Sequence, residues 1–241
     1  VAPASGATAC RASAMLQTIL QIAINGLLLG GVYALVSVGL TLIFGVMKII
    51  NFAHGEFIML AMYSTFWLNI WMGLDPYLAI GIILPLFFGV GVCFQKFMIE
   101  PLLKAKEISQ IFATVGLSIV LQNMALFFWS ADYRIVRTVY SHNSIEVFDT
   151  YVGVSRLMAF AVVTVLAGAI YWLMKRTFLG KAIRATSQDS GAAALMGINI
   201  RWVYLMTTGL GLACVGVAGA VLSPVFSIFP KIGRASCRER G

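Results

Sequence analysis

Three places in the chain hold side chains whose types and spacing could do chemistry. The first is the run NFAHGEF at 51–57, which sets Asn51, His54 and Glu56 around Gly55 between two apolar stretches. A glycine beside His and Glu at the edge of an apolar span fits a broken or re-entrant helix. Such breaks are tolerated where the backbone lines a cavity or is buried in protein. Polar groups there could meet a zwitterionic solute or hold a gate. The plainer alternative is a helix cap, with Asn51 capping the helix that follows and Glu56 in its first turn. No metal is expected, because His54 and Glu56 at i,i+2 do not converge on a helix and the sequence offers no further ligand cluster.

The second place is 110–130, which carries Thr114, Ser118, Gln122 and Asn123. Thr114, Ser118 and Gln122 are spaced four apart, so they form one stripe on a helix. In lipid such a stripe turns toward neighbouring helices or a water-filled path. Hydrogen bonding between helices and contact with a solute both fit. Asn25, Tyr33, Ser37 and Thr41 repeat the pattern more loosely. The third place is 175–201, KRTFLGKAIRATSQDSGAAALMGINIR, far longer than the roughly 2–8 residues a bare helix connection needs. Its Ala-rich stretch Gly191–Met196 favours a helix, which Gly197 ends. Flanked by basic residues, it reads either as a docking surface for another protein or as an amphipathic helix lying on anionic lipid.

The elements that must carry these residues follow from composition. Of 241 residues, 60% are hydrophobic and 11% charged, against about 25% charged for a soluble domain. A chain with so few charges cannot cover a soluble surface, whereas a bilayer asks for this composition and drives charges into loops. The segment 111–131 is free of charge, as is 202–230. About 20 apolar residues cross the hydrocarbon core as a helix. Six candidate spans result: 16–46, 57–72, 77–98, 110–130, 157–174 and 202–229. The fold expected is an all-α polytopic bundle with a break near 51–57 and no soluble domain. Small residues four apart, as in Gly26/Gly30 and Gly216/Ala220, serve close helix packing in lipid.

Charge then orients the bundle. Lys48, Lys96, Lys104, Lys106, Lys175, Arg176, Lys181, Arg184 and Arg201 all fall in loops on one side, while Arg134, Arg137 and Arg156 fall on the other. The positive-inside rule therefore places the N-terminus outside and loop 175–201 in the cytoplasm. The net charge of +8 is scattered over these short loops rather than forming a stripe, which argues against nucleic acid. Cys93 and Cys214 lie in apolar spans and Cys10 and Cys237 near the ends, with no CxxC spacing, so neither a disulfide framework nor a zinc site is implied.

Both ends read differently from the rest. Residues 1–14 are small and polar and precede Met15, so they are expected to be a non-native upstream extension. The run IGRASCRER (232–240) resembles a translated sequencing adapter, so 231–241 is expected to be a foreign tail on an incomplete domain spanning 15–230.

Three runs, GLTLIFGVMKIINFAHGEF (39–57), ATVGLSIVLQN (113–123) and GKAIRATSQDSGAAALMGI (180–198), resemble the permease subunits of branched-chain amino acid ABC transporters. They recur in order, and the likeness covers about 16–230. The resemblance implies a bacterial inner-membrane transport subunit that is not itself an enzyme and carries no cofactor. An external binding protein would deliver leucine, isoleucine or valine. A second homologous permease subunit would share the path, and two cytoplasmic ATP-binding subunits would drive it. In ABC importers a Glu-Ala-Ala-x-x-x-Gly loop docks the ATPase. Gly191, Ala192, Ala193 and Gly197 keep that spacing, with glycine where the pattern has glutamate. On that mechanism the candidates for the path or gate are the polar residues already singled out: Asn51, His54, Glu56, Ser118, Gln122 and Asn123. The chain lacks GxxxxGK[ST], so it cannot itself cradle ATP phosphates in that way. A urea, amide or sugar permease of the same superfamily is the sibling reading. A membrane-embedded enzyme using His54 and Glu56 and an ion channel are the readings from other classes.

Overall fold

A computed structural model describes residues 5–103, 105–129, 134, 136, 144–147, 150–226 and 228. Lys104, Arg137 and the expected tail 231–241 lie outside the described residues. In order, the elements are α1 (Ser5–Met47), α2 (His54–Met72), α3 (Pro76–Phe94), a π-helical turn (Gln95–Ile99), α4 (Glu100–Leu102), α5 (Glu107–Trp129), β1 (Ser144–Val147), β2 (Thr150–Gly153), α6 (Val154–Arg176), α7 (Phe178–Gln188), α8 (Ser190–Leu195) and α9 (Ile200–Leu222). The protein is a polytopic helix bundle, as its composition requires.

Five stretches among the described residues are long and apolar enough to cross a membrane: Thr18–Met47, Pro76–Leu102, Ile108–Trp129, Val154–Arg176 and Ile200–Leu222. The second of the six expected spans is the one missing from that set. It forms α2, a helix of 19 residues, diluted in apolar character by His54, Glu56, Ser64, Thr65 and Asn69. It tolerates this because it packs inside the bundle: Ala61, Tyr63 and Thr65 are fully buried. The hydroxyls of Ser64 and Thr65 bond back to the Leu60 and Ala61 carbonyls one turn earlier.

The break also moves. Instead of 51–57, the non-helical stretch is 48–53, and His54, Gly55 and Glu56 already belong to the first turn of α2. Lys48 ends α1 by adopting a left-handed backbone (φ +55°), with its N–H on the Phe44 carbonyl at 2.8 Å. At the far end of α2, Gly73 (φ +63°) closes the helix by donating to the Asn69 carbonyl at 2.9 Å. Asp75 then caps α3 through the Tyr77 N–H, with Pro76 at the first helical position.

One helix organises the rest. In α9, 83% of the apolar stretch is buried within the protein, against 11–28% for the other four spans. α1, α2 and α3 pack around it, and α6 touches its flank. This is possible because α9 is built from small residues. A Cβ on Gly216 would stand 2.7 Å from the Phe87 Cβ, and one on Gly219 2.5 Å from the Ala61 Cβ. With lipid tails as apolar as leucine, such close approach and the dispersion contacts it allows are what hold helices together. Gly26 and Gly30, by contrast, would meet nothing within 4 Å. α5 lies at the periphery, beside α2.

Sequence reasoning gave no hint of the antiparallel β1–β2 hairpin, paired from Ser144↔Gly153 to Val147↔Thr150. It lies in the loop between α5 and α6. In the same loop Arg134 forms a bridge with Ile228 and stands 5.3 Å from the Phe66 ring and 5.7 Å from Trp67. A cation on aromatic faces is stabilised by the ring quadrupole, which gives this arginine a role of its own on the less basic side.

Candidate functional site

The polar residues of the 48–53 break and of α5 meet around the first turn of α2. Ser118 Oγ and Gln122 Nε2 both donate to Glu56 Oε1, at 3.1 and 2.6 Å. One turn earlier on the same stripe, Thr114 Oγ1 donates to the Ile50 carbonyl at 3.4 Å and, within its own helix, to Ile111 at 3.0 Å. Below this polar seam, the apolar side chains of Leu117 and Leu121 pack against the cluster containing Phe57 and Phe94. The carboxylate is thus the chief polar link between α2 and an outlying helix. Hydrogen bonds to an ionised group are about twice as strong as neutral ones.

Asn51 and His54 sit deeper, 3% and 5% exposed. Asn51 Oδ1 accepts from the Ala53 N–H at 3.0 Å, while its backbone carbonyl accepts from the His54 N–H at 3.3 Å. Asn51 therefore shapes the turn that enters α2, whereas Ala53, in the N-cap position itself, supplies no side-chain bond. His54 Nε2 lies 3.2 Å from the Val36 carbonyl, tying α2 back to α1. Asn51 Nδ2 and His54 Nδ1 are buried without a hydrogen-bond partner. With Nε2–H on the Val36 carbonyl, His54 Nδ1 is an acceptor. An unsatisfied buried donor or acceptor costs about 1–3 kcal/mol, so this corner has unspent capacity for a polar guest. Asn123 does not join the group: it is exposed and donates to the Ile119 carbonyl of its own helix at 2.7 Å.

The second group lies in the loop 175–201. It folds into α7 and α8, two short helices joined at Asp189. Asp189 Oδ1 accepts from the Gly191 and Ala192 N–H groups at 2.8 and 3.0 Å, capping α8. At the other end Gly197 (φ +84°) donates to Ala194 at 3.0 Å, and Ile198 donates to Ala193 at 3.1 Å. That pair of bonds is the Schellman arrangement, which needs a left-handed residue at its corner and so favours glycine. Gly191, Ala192 and Gly197 are exposed, whereas Ala193 is buried where α8 packs on α7 and α9. Leu195 and Met196, absent from the sequence-based set, are 90% and 84% exposed. Asn199 Oδ1 then accepts from the Trp202 N–H at 3.1 Å and starts α9, so α8 feeds directly into the central helix.

A buried polar contact that sequence reasoning missed joins α9 to the end of α3. Thr208 Oγ1 donates to Gln95 Oε1 at 2.7 Å, with Gln95 only 2% exposed. The signal available beforehand was a glutamine at the end of one apolar span and two adjacent threonines in another, with nothing to pair them. Among the described residues no group of three His, Cys, Asp or Glu stands close enough to hold a metal ion.

Comparison with known proteins adds an independent line. The family described as branched-chain amino acid transport system / permease component matches residues 22–234. The chain is 29% identical over 229 residues to BraD, a high-affinity branched-chain amino acid transport system permease protein of Pseudomonas aeruginosa, covering 89% of this chain and 74% of the relative. It is equally similar, over the same shares, to the LivH permease protein of Escherichia coli. A probable branched-chain amino acid transport permease of Methanocaldococcus jannaschii is 28% identical over 209 residues, covering 83% of this chain and 64% of that protein. No solved structure matches.

Proposed function

Because this chain belongs to the family of branched-chain amino acid transport permease components, we propose that it forms part of the translocation path of an ATP-driven importer for those amino acids. A second, homologous permease subunit would complete the path, two cytoplasmic ATP-binding subunits would hydrolyse ATP, and an extracytoplasmic binding protein would deliver the solute. The setting is a bacterial inner membrane with the N-terminus outside and α7–α8 in the cytoplasm. Surrounding lipid contacts the exposed apolar faces, and the chain itself carries out no bond chemistry.

The observation that carries this reading is the Glu56 carboxylate, held by Ser118 and Gln122 on one oxygen. A carboxylate inside an apolar bundle is expensive, and such residues mark solute paths. An amino acid brings an ammonium group that can exchange for the two α5 donors, releasing α5 from α2 as the solute passes. Asn51 Nδ2 and His54 Nδ1, buried and unpartnered, offer polar contacts at the same turn. Urea and sugars bring no cation for Glu56, so the carboxylate favours the amino acid reading over that of the sibling permeases.

Drive would enter through α8. Its exposed Leu195 and Met196 supply an apolar knob for a partner protein, and the rigid caps at Asp189 and Gly197 hold the knob in place. A push on α8 is passed to α9 through Asn199, and α9 touches α1, α2 and α3, so one movement reaches the helix that carries Glu56. Reconstitution of the chain with its partner subunits tests this. ATP-dependent uptake of labelled leucine that falls at least tenfold in Glu56→Gln is the expected result. Uptake of urea instead of leucine, or of leucine undiminished by the substitution, would remove Glu56 from the path.

A further inference from the structure

A cavity of about 260 Å³ opens between the end of α3, α4 and the start of α9. It shares no residue with the Glu56 cluster. Its wall combines Gln95, Glu100 and Arg201 with the aliphatic side chains of Leu103, Ile200 and Leu205. Its size falls just below the roughly 300–1,000 Å³ of pockets for drug-sized ligands, which suits a small metabolite.

The wall is built by the π-helical turn. Residues five apart on an uninterrupted α-helix point about 140° away from each other. The wider turn, closed by the Glu100 N–H on the Gln95 carbonyl, brings Gln95 and Glu100 to the same cavity. Such insertions occur often at functional sites. Gln95 Oε1 is engaged by Thr208 at 2.7 Å, which orients the buried amide and leaves its nitrogen to donate elsewhere. Glu100 Oε1 meets Arg201 Nε at 2.6 Å, with the Arg201 side chain 66% and that of Glu100 28% exposed. An ion pair this open to water contributes little to stability, so it can part at small cost.

We propose that this cavity is a second binding site, for a free amino acid with an aliphatic side chain. Arg201 and the Gln95 amide take the carboxylate, Glu100 takes the ammonium group, and Leu103, Ile200 and Leu205 enclose the side chain. The two charges of the ligand replace the two charges of the ion pair, so no uncompensated charge is left in the cavity. The site lies at the start of α9, directly after the α8 loop. A bound amino acid bridges the end of α3 to the end of α9 that receives the push from α8, and so restrains it. Under the importer reading, on which this consequence rests, the site lets accumulated product slow its own uptake.

The test is leucine binding to the full chain in lipid nanodiscs, by calorimetry, with leucinamide and isocaproate as probes lacking one charge each. Leucine is expected to bind, with both probes and the variants Arg201→Gln and Leu205→Trp weaker by about tenfold or more, as loss of charge-assisted bonds or of the cavity requires. Absent binding, or binding equal in both variants, overturns the proposal. A co-purified lipid retained by the parent and released by Leu205→Trp overturns it too, by assigning the cavity to lipid. Arg201 is surface-exposed, so Arg201→Gln carries the test even where Leu205→Trp does not fold. Leucine uptake by the reconstituted transporter is read separately. Its absence alongside intact binding refutes the importer reading alone, and uptake insensitive to leucine on the α8 side refutes the restraint alone.

Discussion

Replacing Gln122 by leucine removes the shorter of the two bonds to Glu56 (2.6 Å) and leaves Ser118 at 3.1 Å. Two scales bear on the cost. A hydrogen bond to a charged group contributes about 1.5–3 kcal/mol in water-soluble proteins. Hydrogen bonds between membrane helices average only about 0.6 and reach about 1.7 kcal/mol, because the unfolded chain also finds partners in the bilayer. Glu56 is half-buried and its second donor stays, so the membrane scale governs, near its upper end because the bond is short at 2.6 Å. The single substitution should therefore cost about 1–2 kcal/mol. The decisive measurement is a double-mutant cycle of Gln122→Leu with Glu56→Ala, which leaves no acceptor at position 56, read as unfolding free energy in bicelles. A coupling energy of about 1–1.7 kcal/mol is expected. A value below about 0.3 kcal/mol, the error of additivity for independent sites, would mean that the two side chains do not meet. α5 would then need some other link to α2, and the release of α5 by a solute ammonium would lose its basis.

Three further outcomes follow from the packing. Asp189→Ala should destabilise the α8 cap by about 0.5–2 kcal/mol and Asp189→Asn by much less, checked by amide exchange of Gly191 and Ala192. Gly216→Leu should unfold or strongly destabilise the bundle, since even its Cβ would meet Phe87 at 2.7 Å and overpacking costs about 1–3 kcal/mol. Gly26→Leu, with nothing within 4 Å, should leave the melting curve of the isolated chain within about 1 °C, so equal losses at the two positions would refute the central placement of α9. Leu195→Asp with Met196→Asp should abolish binding of the ATP-binding subunit in a pull-down while leaving the thermal melt unchanged, because both side chains are exposed; retained binding would move the docking surface elsewhere.

The membrane class, the long spans and their approximate limits were legible in the sequence, because in a bilayer length and apolar composition alone decide what a helix can do. The helix Ser190–Leu195 with its terminating Gly197 was legible too, since capping chemistry is local. The four-residue spacing of Thr114, Ser118 and Gln122 showed a stripe but not what it faces. It took the tertiary structure to bring that stripe onto Glu56, some sixty residues earlier in the chain, and to turn Asn123, the next residue, away from it. Spacing along one helix fixes which side chains share a face, but not which neighbour that face meets. The same limit hid the central place of α9, whose burial depends on three other helices presenting Phe87, Ala61 and Gly39 to its small residues. It also hid the π-helical turn, in which one extra residue per turn brings Gln95 and Glu100 to a common cavity. An α-helical periodicity read from sequence assigns those two side chains to different faces, and only the folded backbone puts them on one.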